Sequence, residues 1–577
     1  MRAVITCTLL FFCLHNTVFA SPWQDIDQPS EAYAARAVET DSFLHRYRAL
    51  SLNESQLRQQ LTQVSLQQQA KGLAQAALQL PLPDGSFARV RVTATQTLAP
   101  ALAARYPELA TWAVHSLDGQ VSGGSLDFTP QGFHAMLDMP DGDTVFIDPQ
   151  NAAGQRFYAS FSRRQNANYF RDKSDCAAHS PSGFTPDSFQ HLAARQAQAN
   201  NSSLYTYRIA IAATAEYTQK QGGRAIDGLS AIVTTLNRVN HIYKRDLSVR
   251  LQLVSDERLV FTNPDTDPFT NARIGDMLQE NQTILNAVLG EQGYDIGHVF
   301  GTTGGGRSYV GVACSSHYKA RGATGLSSPA GDTFDISYVA HEIGHQLGAT
   351  HTFNGQSGSC RGSNRDAQTA FEPGSGSTIM SYAGICADDN LQTEADPMFH
   401  AASIAQVKYY VQQGMGMRCA QIEAQTNQKP IVEAGNNYVI PANTPFILSG
   451  SASDADNDTL SYAWEQMDAG AASAVDVDRG DNAIMRSYPP SPKAQRTIPR
   501  LSDLLSPAQV IGERLPSQTR ALNFRLTVRD GKATAHDDKR LNVVQTGQAF
   551  AVTAPKSTRL AANSVLTVQW QVAATDQ

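Results

Sequence analysis

The sequence predicts a multidomain chain: a central α/β domain with a largely parallel sheet, an α+β segment before it, and an all-β, immunoglobulin-like sandwich after it. Three observations lead there. The 577 residues exceed what one core ordinarily serves, about 100–200 residues per domain. From residue 204 onward strand-like runs alternate with helical ones, the pattern of parallel strands joined by crossover helices. Beyond about residue 427 the texture changes to short alternating strands separated by Gly, Pro and Asp, as in a β-sandwich.

Composition and charge narrow the class. At 41% hydrophobic and 17% charged residues, the chain has the balance of a soluble protein. A net charge of -7 with scattered Lys and Arg gives nucleic acid and anionic membranes nothing to hold, so neither is expected as a partner. Residues 1–20 read as a signal peptide: Arg2 supplies the positive start, residues 4–14 the apolar stretch, and Val18, Phe19 and Ala20 the cleavage site. Cleavage after Ala20 is expected, and with it secretion to the extracellular space. The apolar run is shorter than the ~20 residues a membrane span needs, and no other stretch qualifies. A monomer is expected.

Of seven cysteines, Cys7 and Cys13 leave with that leader. Cys176, Cys314, Cys360, Cys386 and Cys419 then face an oxidising compartment. The four between 314 and 419 suffice for two disulfides, which leaves Cys176 upstream without an evident partner.

Along the chain, residues 21–203 carry Gln- and Ala-rich helical sequence at 55–78 and strand-like alternation at 87–92, with no catalytic constellation. The polar stretch 191–203 reads as a linker open to proteolytic processing. The central domain spans 204–425. Residues 205–211 (YTYRIAI) are β-branched and aromatic, as a first strand should be. Ile226, Leu229, Val233, Leu236, Val239 and Tyr243 then recur at three- and four-residue spacing, predicting a helix with one apolar face on the sheet. Residues 249–254 form the next strand, 273–289 a second helix and 296–300 a further strand. The β-sandwich spans 428–546. Residues 547–577 begin a similar alternation that stops short, as if the sequence ended inside a further β-domain.

Residues 337–351 read SYVAHEIGHQLGATH and match H-E-x-x-H-x-x-G-x-x-H at every fixed position. On a helix, His341 and His345 project from one face a turn apart, so two imidazoles can meet one metal. Gly348 can take the left-handed conformation that ends the helix and swings His351 round as third ligand. Three neutral imidazoles leave one position of tetrahedral zinc open, as catalytic rather than structural sites do. Glu342, beside the ligands, can take a proton from water, which points to peptide hydrolysis. A lone His is most often a surface or satisfied core residue, and a bare H-E-x-x-H arises by accident. Five fixed residues in register are far more specific.

Residues 377–382 (STIMSY) look like a metzincin Met-turn, with Met380 as the apolar floor under the zinc. With both motifs, residues 204 to about 420 resemble the metzincin peptidases, most closely the reprolysin-like (adamalysin-related) group and its bacterial relatives. The resemblance implies a metzincin α/β catalytic domain with a mixed five-stranded sheet and a zinc helix, one catalytic Zn²⁺, and endopeptidase activity on protein or peptide substrates. It also implies disulfides Cys314–Cys419 and Cys360–Cys386. Two positions depart from the reprolysin pattern: Thr352 stands where Asp directly follows the third His, and Tyr382 lies two residues after Met380. In astacin-like and serralysin-like metzincins a Tyr so placed helps stabilise the oxyanion, the role this resemblance implies for Tyr382. The resemblance further suggests that residues 21–203 are a propeptide whose Cys176 thiolate fills the open zinc position until cleavage, making the protein a zymogen. The local sequence DCA departs from the usual switch motif.

The run Gly304, Gly305, Gly306 lacks the Lys-Ser/Thr ending of a phosphate loop and reads as a flexible bend. Residues 309–313 (YVGVA) resemble the metzincin edge strand, which binds an extended substrate by adding it to the sheet. Residues 448–464 resemble polycystic-kidney-disease-like or cadherin-like β-sandwich modules. Asp454, Asp456 and Asp458 within them suit hard Ca²⁺ and, equally, a solvated acidic turn. The rival reading is a secreted adhesion or binding protein with a catalytically inactive metzincin domain; the intact Glu342 argues against it.

Overall fold

A computed structural model describes residues 21–27, 44–69, 77–152, 155–166, 176–179, 201–506, 510–556, 559 and 561–573. The expected signal peptide and most of the expected linker, residues 191–200, lie outside the described residues.

The N-terminal segment is built on a nine-stranded antiparallel sheet whose edge strands are Trp23–Asp25 and Leu78–Pro81. The alternation at Phe87–Ala94 buries Ala88, Val90 and Val92 on one face, as period-two sequence should. That face closes a core with Trp23, Leu57, Leu61, Phe128, Phe133 and Tyr158. Leu57 and Leu61 come from helix Glu54–Gln69. The helix does not extend to residue 78 as expected: Leu78 opens strand Leu78–Pro81, whose Leu78 and Leu80 enter the same core.

The central sheet has seven strands. Its order is Cys176–His179, Gly305–Tyr309, Gly322–Gly325, Ile296–Gly301, Asn201–Ala213, Val249–Leu253, and Gln421–Gln428 also pairs with Asn201–Ala213. The last four of the main path run parallel, and Gly305–Tyr309 runs antiparallel to them. Five strands from Gly305–Tyr309 to Val249–Leu253 form the main path; Cys176–His179 adds to the outer edge of Gly305–Tyr309, and Gln421–Gln428 pairs antiparallel with the N-terminal half of the interior strand Asn201–Ala213. Residues 201–203, expected as linker, already belong to the long strand Asn201–Ala213.

Helix Ala225–Leu247 lays Leu229, Val233, Leu236, Val239 and Tyr243 on this sheet. The face turned away from the sheet is covered as well, and Thr234, Asn237 and Arg238 are buried on it. The second face of the N-terminal sheet covers them and adds Met136, Phe146 and Phe161 to the central core. Among the described residues no helix is long and apolar enough to cross a membrane.

After residue 428 a four-stranded sheet (Tyr438–Pro441, Thr534–Val544, Arg520–Arg529, Ser461–Gln466) and two short ladders enclose one core around Leu448, Trp464, Leu522, Phe524, Leu526 and Leu541. Strands Ala551–Ala554 and Gln569–Gln571 form a separate pair with Trp570 exposed. The acidic cluster differs from expectation. Asp454 and Asp458 gather with Asp530, whereas Asp456 is exposed and accepts the Gln428 N–H at 2.6 Å. The Lys532 ammonium, 2.7 Å from Asp458, already supplies a cation there.

The β-rich region is locked to the central domain by Arg529, whose Nε donates to Asp246 Oδ1 at 2.8 Å with both side chains fully buried. Burial alone would raise the Asp246 carboxyl, but Arg245 and Arg529 outweigh it and bring it down to about 2. A carboxyl held below its unfolded value near 3.9 contributes stability in full above about pH 4 and loses it as pH falls through about 2. Asp246→Asn, which takes the paired carboxylate from the buried Arg529 guanidinium, is expected to cost about 3–5 kcal/mol at pH 7. Denaturant melts should show that loss at pH 7, and the gap between the two proteins should shrink as pH approaches 2.

Candidate metal centre

The segment carrying the first two histidines is helical from Thr333, with π-type turns to Ala340 and α-helix over His341–Gln346. The long helix supports it from below: the Tyr243 hydroxyl donates to Ala340 O at 2.7 Å, and Thr235 and Arg238 bind the buried Asp335 carboxylate. Gly348, at φ +94°, takes the left-handed turn that stops the helix, and the chain returns with His351.

His341, His345 and His351 are all buried, with ring centroids 4.6, 4.7 and 5.2 Å apart. Each Nδ1 meets a main-chain carbonyl: Ile379 O at 2.7 Å, Ala349 O at 2.8 Å and Asn364 O at 2.6 Å. A carbonyl only accepts, so each Nδ1 carries the hydrogen and each Nε2 turns its lone pair inward. Nε2 of His345 and Nε2 of His351 are 3.1 Å apart, and Nε2 of His341 has no hydrogen-bond partner. Burial pushes His341 down to about 4, and burial with the neighbouring His341 pushes His351 down to about 3. Three neutral imidazoles with lone pairs facing one another are unfavourable unless a cation lies between them. The donor set fits Zn²⁺.

The other predicted residues fall round this cluster. Glu342 is fully buried against the strand Gly305–Tyr309, where a Cβ added to Gly306 would lie 2.0 Å from Glu342 Oε1. The glycine run therefore does more than bend: it opens the edge strand and makes room for the carboxylate. Of residues 309–313, expected to be that strand, only Tyr309 belongs to it, and residues 310–313 turn under the helix. Gly311, Val312 and Ala313 donate their N–H groups to the carbonyls of His345 and Gln346, satisfying the helix C-terminus. Met380 lies beneath the helix, its sulfur 2.7 Å from where a Cβ on Gly344 would be. Tyr382 stacks on Phe353 at 4.5 Å, and its ring centroid is 4.5 Å from that of His351.

Cys314 is bonded to Cys419 and Cys360 to Cys386. The backbone of Cys176 pairs with Gly306 in the parallel ladder between Cys176–His179 and Gly305–Tyr309; its side chain lies outside what is described.

Sequence reasoning missed Glu372. Its buried carboxylate accepts the Ser377 and Thr378 N–H groups and the hydroxyls of Thr378 and Thr352. It thereby ties the residue after the third histidine to the turn containing Met380. The only sequence signal was indirect: Thr352 lacks the carboxylate of the reprolysin pattern, and Glu372 supplies one to it from twenty residues downstream. Asn354 and Arg365 were missed as well. Arg365 Nε donates to Asn354 Oδ1 at 2.9 Å, bracing the loop that presents Asn364 O to His351.

Residues 204–410 match the family model for metallopeptidases of family M12B, reprolysin-like. Among curated proteins no significant match is found.

Removing a group that orients a metal ligand typically lowers metal affinity about 10–100-fold. Glu372→Ala is expected to weaken zinc binding by that factor relative to wild type, measured by competition with a chromophoric chelator. Unchanged affinity in a folded variant would remove Glu372 from the support of the site.

Proposed function

We propose, on the premise that residues 204–410 are a reprolysin-like M12B metallopeptidase domain, that the protein is a secreted zinc endopeptidase made in a latent form. The observation that carries this reading is the convergence of three Nε2 lone pairs, each fixed by a carbonyl on its Nδ1. His341, His345 and His351 would hold the ion. The chemistry that zinc supplies in such a site is polarisation of the scissile carbonyl and a lowered pKa for water.

The chain's own residues account for the remainder. Glu342 takes the proton of the attacking water and delivers it to the leaving amine. Its burial against Gly306 restricts the carboxylate to one side of the histidine cluster. Tyr382, beside His351, donates its hydroxyl to the oxyanion that develops on the substrate. An extended peptide adds to the edge strand Gly305–Tyr309, with main-chain hydrogen bonds that suit internal sites in many sequences.

Latency is supported by what occupies that edge. Cys176–His179 runs along it, with Cys176 opposite Gly306, so the N-terminal segment stands where an extended substrate would bind. In this reading residues 21–203 are the propeptide and the Cys176 thiolate blocks the metal. The two disulfides and the leader-like residues 1–20 support export.

Processed protein is expected to hydrolyse casein in a chelator-sensitive, zinc-restored manner. Glu342→Ala should lower the rate by at least about 10²–10⁴-fold with zinc still bound, since proton transfer rather than metal binding is lost. Tyr382→Phe should lower kcat by about 10²-fold with little change in KM. Unprocessed Cys176→Ser should hydrolyse a peptide that the unprocessed wild type leaves intact; equal latency of the two would exclude the thiol as the block.

A further inference from the structure

A guanidinium of the N-terminal segment sits beside the cleft in an acidic pocket of the central domain. Arg163 opens the short turn Arg163–Asn166 that follows the last strand of the N-terminal sheet. Asn166 fixes this turn by accepting from the N–H groups of His45 and Arg46 and donating to Ser162 O and Arg46 O. From it the Arg163 side chain enters the central domain. Nε donates to Asp332 Oδ2 at 2.7 Å, Nη2 to Ala395 O at 2.6 Å, and Nη1 to Asp396 Oδ1 at 3.5 Å. Glu394 adds a third carboxylate close enough to raise the Arg163 pKa against the opposing effect of burial.

The pocket and the metal cleft share a wall. Ala395 lines the small cleft of about 20 Å³ beside His341, together with Ser337, Tyr338, Ser381, Tyr382 and Ile385. Its N–H donates to Ser337 Oγ, which in turn donates to Glu394 Oε2. The carbonyl of the same residue receives Arg163. One strand of chain, residues 394–396, therefore faces the cleft with one side and the guanidinium with the other.

Within the proposed zymogen, Arg163 departs with the segment that carries it. Asp332 and Asp396 would then stay behind without the guanidinium they bind; burial raises the Asp396 carboxyl, and Arg486 opposes that rise without an ion pair to it among the described residues. Asp332 Oδ1 has no hydrogen-bond partner even with Arg163 in place, and Asp332 is only 3% exposed. Buried carboxylates left without a counter-charge are strongly unfavourable, so the emptied pocket favours a replacement cation. Two carboxylates and a carbonyl arranged about the nitrogens of one guanidinium suit arginine better than the point charge of lysine.

We propose that this pocket, once the N-terminal segment is cleaved away, is a subsite for an arginine side chain of the polypeptide substrate, and that Arg163 occupies it in the precursor as that side chain's stand-in. The inference rests on the latency reading above, and binding can be tested apart from turnover. Processed protein carrying Glu342→Gln would be titrated with short fluorescein-labelled Ala/Gly peptides bearing a single Arg, Lys or Gln at successive positions, followed by anisotropy. The expected result is one position at which Arg binds at least about 10-fold more tightly than Gln, with Lys between them. That preference should fall towards unity in Asp332→Asn and in Asp396→Asn. It should also shrink between about 0.05 and 0.5 M salt in the parent protein, a readout that needs no further variant to fold. Equal affinities for Arg and Gln peptides at every position would overturn the subsite. Failure of the wild-type protein to cleave any of these peptides or casein, with the Arg preference intact, would count against the peptidase reading alone.

Discussion

The metal centre depends on three main-chain carbonyls. A neutral imidazole has one hydrogen and one lone pair, so a carbonyl on Nδ1 obliges Nε2 to present its lone pair to the ion. The carbonyls of Ile379, Ala349 and Asn364 do this for His341, His345 and His351. They come from three places: the turn before Met380, the turn that ends the helix, and the loop beyond the third ligand. Only Ala349 is positioned by the helix itself. Ile379 and Asn364 are brought in by the chain after His351, and much of the lower half of the domain serves that purpose. Thr352 N–H donates to Met380 O, Glu372 bridges Thr352 to Thr378, and Cys360–Cys386 joins the two loops covalently.

The C-terminal β-rich region takes part in the same bracing. Asn354 donates to Ser473 Oγ, Arg365 to Gly470 O, and Ser377 Oγ to Ser487 O, while Val475 N–H reaches Asp389. Most of these groups are buried, and a buried polar group stripped of its partner costs more than the bond contributes when made. Residues 470–487 thus act as an outer wall for the loops that carry Ile379 and Asn364. A module tethered only for adhesion would have no reason to satisfy polar atoms two contacts away from a metal ligand.

What the sequence revealed and what it hid follow from distance along the chain. His341, Glu342, His345, Gly348 and His351 lie within eleven residues, so one helical turn and one glycine turn bring them together, and their pattern could be read directly. The strand and helix order of residues 204–300 was legible for the same reason, since periodicity is local. The edge strand was misplaced because YVGVA has more β-character than GGRSY; Gly306 meets the clearance Glu342 needs, a tertiary demand with no local signature. Glu372 and Asp530 act on partners that no spacing rule links to them, and Arg163 meets Asp332 across 169 positions. Asp456, adjacent in sequence to two clustered carboxylates, turns away to cap Gln428, because neighbours in a turn point in different directions.

The two flanking regions hold the central domain through different mixtures of contacts. On helix Ala225–Leu247 the stripe Thr234, Arg238, His241, Arg245 faces the N-terminal sheet. Thr234 meets Asp127, Arg238 meets Asp148, and His241 and Arg245 share Asp138. These are the residues a free helix would turn towards water, on the side opposite Leu229, Leu236 and Val239. Separation would return them to solvent, where charged groups recover their hydration. Arg529 and Asp246 on the C-terminal side are fully buried, and Asp246 also accepts the N–H of Phe399 in the chain that follows the Met380 turn. Losing that contact would strand a carboxylate inside the domain that holds the histidines. The N-terminal contact thus combines this polar stripe with apolar packing and the buried Arg163–Asp332 pair, whereas the C-terminal contact is anchored on a fully buried pair that also orders the chain after the Met380 turn.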